Sequence, residues 1–173
     1  MEKRSYMKKI IFTGPECSGK TQLSKQIAKH FGLIWVKEYA RQYLNNLGRL
    51  YNYSDLKKIA QGQLNLEKQY SNNDFLICDT NLQVIKLWSI IKFSKCDPFI
   101  LNNQDHQALY VLCKPDFEWV FDPLREDPKK RDQIFNYYKK ELKENGMDFI
   151  TVEGSNNKRF ELLKKKISNM LIK

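Results

Sequence analysis

The chain is poor in the residues that build disulfide frameworks and metal clusters. It has four cysteines and two histidines in 173 residues. The cysteines form no C-x-x-C pair and have no histidine at metal-ligand spacing. Cys78 and Cys113 end apolar runs and are interpreted as small buried hydrophobic residues. The pattern favours a reduced, cytoplasmic protein.

Long apolar runs are also missing. No stretch approaches the length of a membrane span, and the N-terminal residues MEKRSYMKKI are charged, so no signal region is predicted. There is no internal repeat and no low-complexity linker. A length of 173 residues with 42% hydrophobic residues predicts one domain, spanning 1–173, with a sizeable core and no membrane association.

Acidic residues are outnumbered, with 30 lysines and arginines against 20 aspartates and glutamates. The net charge of +10 raises the hypothesis of nucleic-acid binding. The lysines, however, are spread along the chain, and the densest run, 164–166, lies in an amphipathic helix whose apolar face includes Leu163 and Ile167. A basic surface also attracts small anions such as ATP. We therefore predict no nucleic-acid partner.

The most informative segment present is KKIIFTGPECSGKT, residues 8–21. A short apolar strand breaks into the pattern G-x-x-x-x-G-K-[ST], and a helical pattern follows directly, which is the context of a phosphate-binding loop. The predicted ATP-binding residues are Gly14, Pro15, Glu16, Cys17, Ser18, Gly19, Lys20 and Thr21. Lys20 is expected to reach the β- and γ-phosphates, and the Thr21 hydroxyl is expected to bind Mg²⁺.

Strand and helix patterns alternate along the rest of the chain. Apolar runs predict strands at 8–13, 33–36, 74–79, 108–113 and 148–153. Helical periodicity predicts helices at about 20–31, 38–47, 54–70, 81–93, 128–144 and 156–172, and a loop with one short turn at 94–107. Ser54 and Asp55 are predicted to cap the third helix. The fold class is therefore α/β, with a three-layer, doubly wound, parallel sheet of five strands.

Ligands of such sheets collect at the carboxyl ends of the strands, so the residues after each strand are candidate site residues. Asp79 ends the most apolar strand and is predicted to hold Mg²⁺ or to serve the substrate. The alternative is a structural aspartate that caps the helix beginning near Asn81. The two roles are compatible.

Glu38 and Arg41 follow the second strand and lie three residues apart, on one face of the second helix. A carboxylate there can orient an acceptor hydroxyl, and a guanidinium can hold the charge of a transferred phosphoryl group. The alternative is a surface ion pair.

The charged segment 116–131 follows the fourth strand and cannot be a core element. Arg125 and Arg131 are predicted to close over ATP as parts of a lid, although arginine-rich loops are often merely solvated. Trp119 would anchor this lid or stack on a planar ligand, and Tyr39 and Trp88 are candidates for stacking on a base.

Taken together, GPECSGKT, KEYARQYL, IAQGQ, FLICDTNLQVIKLW and PDFEWVFDPLR resemble the ribosylnicotinamide kinase domain of the bacterial bifunctional NAD-biosynthesis regulators. The resemblance covers nearly the whole chain. It implies a P-loop nucleoside-kinase-like fold and phosphorylation of the 5′-hydroxyl of nicotinamide riboside by ATP·Mg²⁺. The substrate-site residues that it implies are Glu38, Tyr39, Arg41, Asp79, Trp88, Trp119 and Asp122, with Arg125 and Arg131 in the lid.

The chain departs from this family in two respects. Pro123 stands where the family usually has a small residue and Cys17 where it commonly has serine, and the adenylyltransferase and DNA-binding domains of the longest members do not fit in this length. Two alternatives remain open: a kinase of another nucleoside, deoxynucleoside or small metabolite, and an ATP-dependent switch without a small acceptor. The residues do not decide whether Glu38 or Asp79 orients the acceptor hydroxyl.

Overall fold

The computed structural model of the protein describes residues 7–126 and 128–171. Outside the described residues lie the start of the charged N-terminal stretch (1–6), position 127 of the predicted lid, and 172–173, which include the end of the last predicted helix. The strands are β1 Lys8–Thr13, β2 Ile34–Val36, β3 Phe75–Asp79, β4 Leu109–Cys113 and β5 Phe149–Val152. The helices are α1 Lys20–Phe31, α2 Tyr39–Asn45, α3 Tyr53–Lys68, α4 Leu82–Phe93, α5 Pro98–Asn102, α6 Arg131–Glu144 and α7 Asn156–Leu171.

The five strands form one parallel sheet in the order β2-β3-β1-β4-β5. The strands are continuous apolar runs because helices cover both faces, and all five residues of β4 are buried. α1 and α7 pack on one face and α4 and α6 on the other. The predicted fold class is thereby confirmed.

The order of the strands decides where a site can form. After β1 the chain turns to β2 and β3 on one side of the sheet, and β4 and β5 then lie on the other side of β1. The carboxyl end of β1 is therefore the switch point, where a crevice opens between connections that leave in opposite directions. The loop 14–19 begins at this point.

Two sequence expectations differ in detail from the structure. The third helix is capped by Asn52, whose side chain accepts from the Ser54 backbone N–H, while Asp55 accepts from the Asn52 backbone N–H three positions earlier. Asp55 therefore completes a capping box rather than standing at the cap itself. In the predicted loop 94–107 the expected short turn is the five-residue helix α5, which Asp97 caps and Pro98 begins.

No helix in the described part of the chain is both long and apolar enough to cross a membrane. The four cysteines are free thiols, and burial raises the pKa of Cys113 to about 12. Buried Cys78 and Cys113 belong to the two cores of the sheet, as predicted.

A close contact between α2 and α3 explains the glycine of the IAQGQ segment. A Cβ added at Gly62 would lie 2.0 Å from Cε1 of Tyr39, well inside van der Waals contact. The next residue, Gln63, accepts a hydrogen bond from the Tyr39 backbone N–H at 2.9 Å. Gly62 and Gln63 therefore seat the first residue of α2, one by leaving space and the other by binding its N–H group.

We expect Gly62→Ala to destabilise the protein, although alanine is the better helix former by about 1 kcal/mol. Displacing the Tyr39 ring should cost about 1–3 kcal/mol of overpacking, which exceeds that gain. Thermal unfolding should show a lower melting temperature, by roughly 2–4 °C per kcal/mol for a chain of this size. The control is Gln61→Ala, an exposed position of the same helix, which should change stability little. A melting temperature above that of the wild type in Gly62→Ala would contradict the contact.

Candidate active site

The site is built around the loop 14–19 between β1 and α1. Gly19 has φ 80°, in the left-handed region, and a Cβ at this position would lie 2.6 Å from Cε2 of Phe117. Only glycine fits here without displacing the Phe117 ring. The first turn of α1 contains no acidic residue, so the positive end of its dipole is not offset by an acidic side chain there and attracts anions.

Lys20, the first residue of α1, lies along the loop. Its Nζ donates to the carbonyl oxygens of Gly14 at 2.9 Å and Pro15 at 2.6 Å. The ammonium group is thereby held on the rim of a large cavity that Lys20 itself lines. A positive charge on a glycine-containing loop at a helix N-terminus is suited to bind a polyphosphate.

Asp79 and Thr21 form the part of the site that fits a magnesium ion. Asp79 ends β3 opposite Phe12 of β1 and is 2% exposed. Burial raises the pKa of its carboxyl, while a hydrogen bond with Thr21 and the charge of Lys20 lower it in part. Its Oδ1 is buried without a hydrogen-bond partner. A carboxylate oxygen left unpaired beside a hydroxyl offers the hard oxygen ligands that Mg²⁺ prefers, so these residues fit the predicted ion.

Glu38 and Arg41 both line the cavity, as their spacing suggested. Glu38 stands at the N-terminal cap of α2 and is half-buried. Burial, and next the negative charge of Asp79, raise the pKa of the Glu38 carboxyl, while the charges of Lys20 and Arg41 oppose the shift. A carboxylate with a raised pKa is a better proton acceptor near neutral pH than an exposed one.

The cavity has a volume of about 520 Å³, large enough for small-molecule substrates. One end is formed by the phosphate loop and the other by apolar and aromatic side chains. The apolar lining includes Leu44, Val84, Trp88, Ile91, Ile134 and Tyr138. Of these, the sequence predicted only Trp88. Val84 and Ile91 could have been found from their i−4 and i+3 spacing to Trp88 on α4, whereas Leu44, Ile134 and Tyr138 carry no local signal.

The segment 116–126 crosses the site and contributes to its wall. Leu124, Arg125 and Glu126 line the cavity. Asp122 pairs with Arg41 at 2.9 Å, and a backbone hydrogen bond from Leu124 together with this pair lowers the pKa of Asp122. The segment is also attached to the phosphate loop, since the Glu126 backbone N–H donates to Glu16 at 3.1 Å. The predicted lid is thus an arm fixed to both sides of the cleft.

Trp88 connects the apolar end of the cavity to this arm. Its Nε1 donates to the hydroxyl of Tyr51 at 2.9 Å, and that hydroxyl donates to Glu126 at 2.9 Å. Lys92 pairs with Glu126 at 2.6 Å and lies over the Tyr51 ring. Tyr51, Lys92 and Glu126 were not predicted from the sequence, because their contacts join segments 34 to 75 residues apart.

Five predicted site residues do not line the cavity. Two of them contact residues that do, since Asp79 lies beside Thr21 and Asp122 pairs with Arg41. The Tyr39 ring packs against Gly62 instead. Trp119 lies in the arm, with the Arg131 guanidinium 5.9 Å from its ring centre. Arg131 donates to the Phe117 carbonyl at 2.7 Å and so holds the start of the arm. Base stacking by Tyr39 stays a prediction, and in this structure its ring lies against α3, while Arg131 and Trp119 contact each other at the two ends of the arm's base.

The chain is similar to known proteins over most of its length. The model of a family described as an AAA domain matches residues 9–159. The trifunctional NAD biosynthesis/regulator proteins NadR of Escherichia coli (strain K12) and Salmonella typhimurium are each 28% identical to it over 159 residues, 86% of this chain. The chain spans 38% of the length of these relatives. The resemblance drawn from the sequence motifs is confirmed.

Solved structures show the same fold. A NadR protein in complex with NR superposes with a TM-score of 0.70 at 16% identity, over 88% of this chain and 45% of that one. Deoxyadenosine kinase from M. mycoides, with products dCMP and dCDP bound, superposes with a TM-score of 0.63 at 18% identity, over 93% of this chain and 99% of the kinase. At these identities the likeness concerns the fold.

Proposed function

Because the chain belongs to the AAA domain family, we propose that it is an ATP-dependent kinase that phosphorylates the 5′-hydroxyl of a nucleoside, with nicotinamide riboside as acceptor. The observation that carries the proposal is a single cavity lined both by the phosphate loop and by Glu38, Arg41 and Trp88. A donor and an acceptor can therefore meet in one cavity. Nicotinamide riboside is chosen because the relatives are NAD biosynthesis proteins and one solved relative carries NR.

The proposed reaction is a direct in-line transfer. The 5′-oxygen of the acceptor forms a bond to the γ-phosphorus of ATP, the bond from that phosphorus to the bridging oxygen breaks, and ADP leaves with the electron pair. The hydroxyl proton passes to a carboxylate. Glu38 is the better placed acceptor of this proton, since it lines the cavity while Asp79 lies deeper beside Thr21.

The remaining residues stabilise charge. Lys20 and the loop N–H groups would hold the β- and γ-phosphates, and Arg125 would approach from the arm. Mg²⁺, when bound, would neutralise charge on the phosphate oxygens, with Thr21 and Asp79 as the protein groups that hold it. Arg41 would support the acceptor side, where Asp122 orients its guanidinium.

The test is an ADP-release assay with ATP·Mg²⁺ against nicotinamide riboside, deoxyadenosine, other deoxynucleosides and pantothenate-like alcohols. We expect turnover to depend on nicotinamide riboside, with nicotinamide mononucleotide detected by mass spectrometry. A Lys20→Ala protein purified in parallel measures the background from contaminating kinases. Turnover with a deoxynucleoside alone would make the acceptor assignment wrong and retain the kinase. Slow ATP hydrolysis that no acceptor stimulates would contradict the kinase and favour an ATP-driven switch.

A further inference from the structure

One buried charge is not used by the proposed mechanism. Arg159, in the first turns of α7, has a side chain that is 0% exposed, and it is among the largest fully buried side chains of the described residues. Burying a guanidinium is costly unless its donors are satisfied. The position therefore needs an explanation in the contacts of the guanidinium.

The guanidinium binds the loops that follow three neighbouring strands. Its Nη1 donates to the carbonyl of Ser18, after β1, at 2.7 Å, and its Nη2 donates to the carbonyl of Lys114, after β4, at 2.9 Å. Its Nε donates to the carbonyl of Gly154, after β5, at 2.9 Å. Asp116 supplies the counter-charge at 3.0 Å. Only a planar group with several fixed donors can make these bonds together.

The Arg159 side chain also contacts the first residues of the arm, the segment 116–126. The guanidinium is 4.6 Å from the centre of the Phe117 ring, and that ring touches the phosphate loop at Gly19. Asp116 accepts in addition from the Gly154 backbone N–H at 2.6 Å. Arg159 therefore joins the phosphate loop and the first residues of the arm into one unit.

The bond to Ser18 has a consequence for phosphate binding. In a trans peptide the C=O and the following N–H point in opposite directions. Holding the Ser18 carbonyl towards buried Arg159 therefore turns the Gly19 N–H away from it, and Gly19 lines the cavity whereas Arg159 does not. An N–H group fixed in this way is pre-organised to bind an anion.

We propose that Arg159 is a positioning residue for the phosphate loop, which sets the Gly19 N–H for ATP and fixes the root of the arm above it. The inference deepens the proposed function, on which it rests for the identity of the nucleotide. A purely structural role would lower the amount of folded enzyme and leave the affinity for ATP unchanged. A positioning role lowers the affinity for ATP in protein that is fully folded.

The experiment compares Arg159→Lys with the wild type by equilibrium binding of ATP, on protein shown to be folded by circular dichroism. Lysine keeps the charge and cannot span three carbonyls. We expect the Kd for ATP to rise at least tenfold, and the KM for ATP to rise with it while the KM for the acceptor stays within about twofold. Lys165→Met, which removes an exposed charge from the same helix, is the matched control and should bind ATP normally.

Asp116→Asn keeps the test decisive if Arg159→Lys does not fold. It removes the counter-charge of the guanidinium from a position with 26% side-chain exposure, and we expect a rise of about threefold in the Kd for ATP. An unchanged Kd in the folded variants overturns the inference. The binding assay needs no acceptor. If the protein bound ATP but phosphorylated no nucleoside, that result would contradict the proposed function and leave the inference about Arg159 standing.

Discussion

Replacement of Lys20 by alanine should nearly abolish phosphoryl transfer while the protein remains folded. The ammonium group is held at the start of α1 by the Gly14 and Pro15 carbonyls and lines the cavity. It would lie beside the phosphate oxygens on which charge changes during transfer, where losing one preorganised group costs about 10²–10³-fold in turnover. The measurement is the initial rate of ADP release at saturating ATP and acceptor.

Stability should change little in this variant because Lys20 is half-buried and does not belong to the apolar cores on the two faces of the sheet. We expect a melting temperature within about 2 °C of the wild type, as for a substitution outside the core. Lys29→Ala, an exposed lysine in the last turn of the same helix, is the matched control and should retain its activity. Turnover near that of the wild type in Lys20→Ala would remove the basis of the mechanism.

The second large effect is expected for Asp79→Asn, in which activity and stability should move in opposite directions. Removing the charge takes away the carboxylate proposed to hold Mg²⁺, so turnover should fall by about 10²-fold or more. It also removes a buried negative charge whose Oδ1 has no partner. We therefore expect a gain in the free energy of unfolding of roughly 1 kcal/mol at neutral pH in Mg²⁺-free buffer.

The pKa of Asp79 sets the pH range of this gain. Because burial raises the pKa in the folded protein, ionising Asp79 is harder in the folded state than in the unfolded state. The resulting loss of stability is absent below the ordinary pKa of an aspartate and develops as the pH rises through the interval up to the raised value. The melting temperatures of wild type and Asp79→Asn should thus differ at neutral pH and converge in acid.

The matched control for this experiment is Asp74→Asn. Asp74 is exposed and precedes the same strand, so its replacement removes the same charge outside the site. It should change neither turnover nor melting temperature appreciably. If Asp79→Asn were less stable than the wild type at neutral pH and kept its activity, Asp79 would have a structural role, as in the alternative of a helix-capping aspartate. The observed cap of α4 is the side chain of Asn81.

The sheet could be predicted from the sequence because a strand covered on both faces is a continuous apolar run. The predictions for β3 and β4 differ from the structure only by one residue, at the N-terminal end of each strand. The ends of helices are harder to predict where polar residues lie on both sides of the boundary. The helix α6, for example, begins at Arg131 rather than at the predicted position 128. Charged residues fit a loop and the first turn of a helix equally well, so the local sequence pattern does not locate the start of α6.

Tyr39 shows how the tertiary structure separates two neighbouring residues that the sequence assigns to one site. It follows Glu38 directly, and both were assigned to the substrate site. Glu38 is the extended N-terminal cap of α2 and Tyr39 is its first helical residue, so the two side chains leave the backbone in different directions. Glu38 faces the cavity, and Tyr39 packs on Gly62. The choice between them depends on where α3 lies, which neither residue encodes.

The sequence by itself determined the phosphate loop and the parallel sheet, since both depend on residues that are close along the chain. A glycine-rich turn, a lysine and a hydroxyl within eight positions, with an apolar strand before them, specify their chemistry without any distant partner. Only the tertiary structure decided which aromatic side chains line the cavity, how the arm is attached and which loops Arg159 binds. The bond from Arg159 to the Ser18 carbonyl joins residues 141 positions apart, and no local pattern records such a contact.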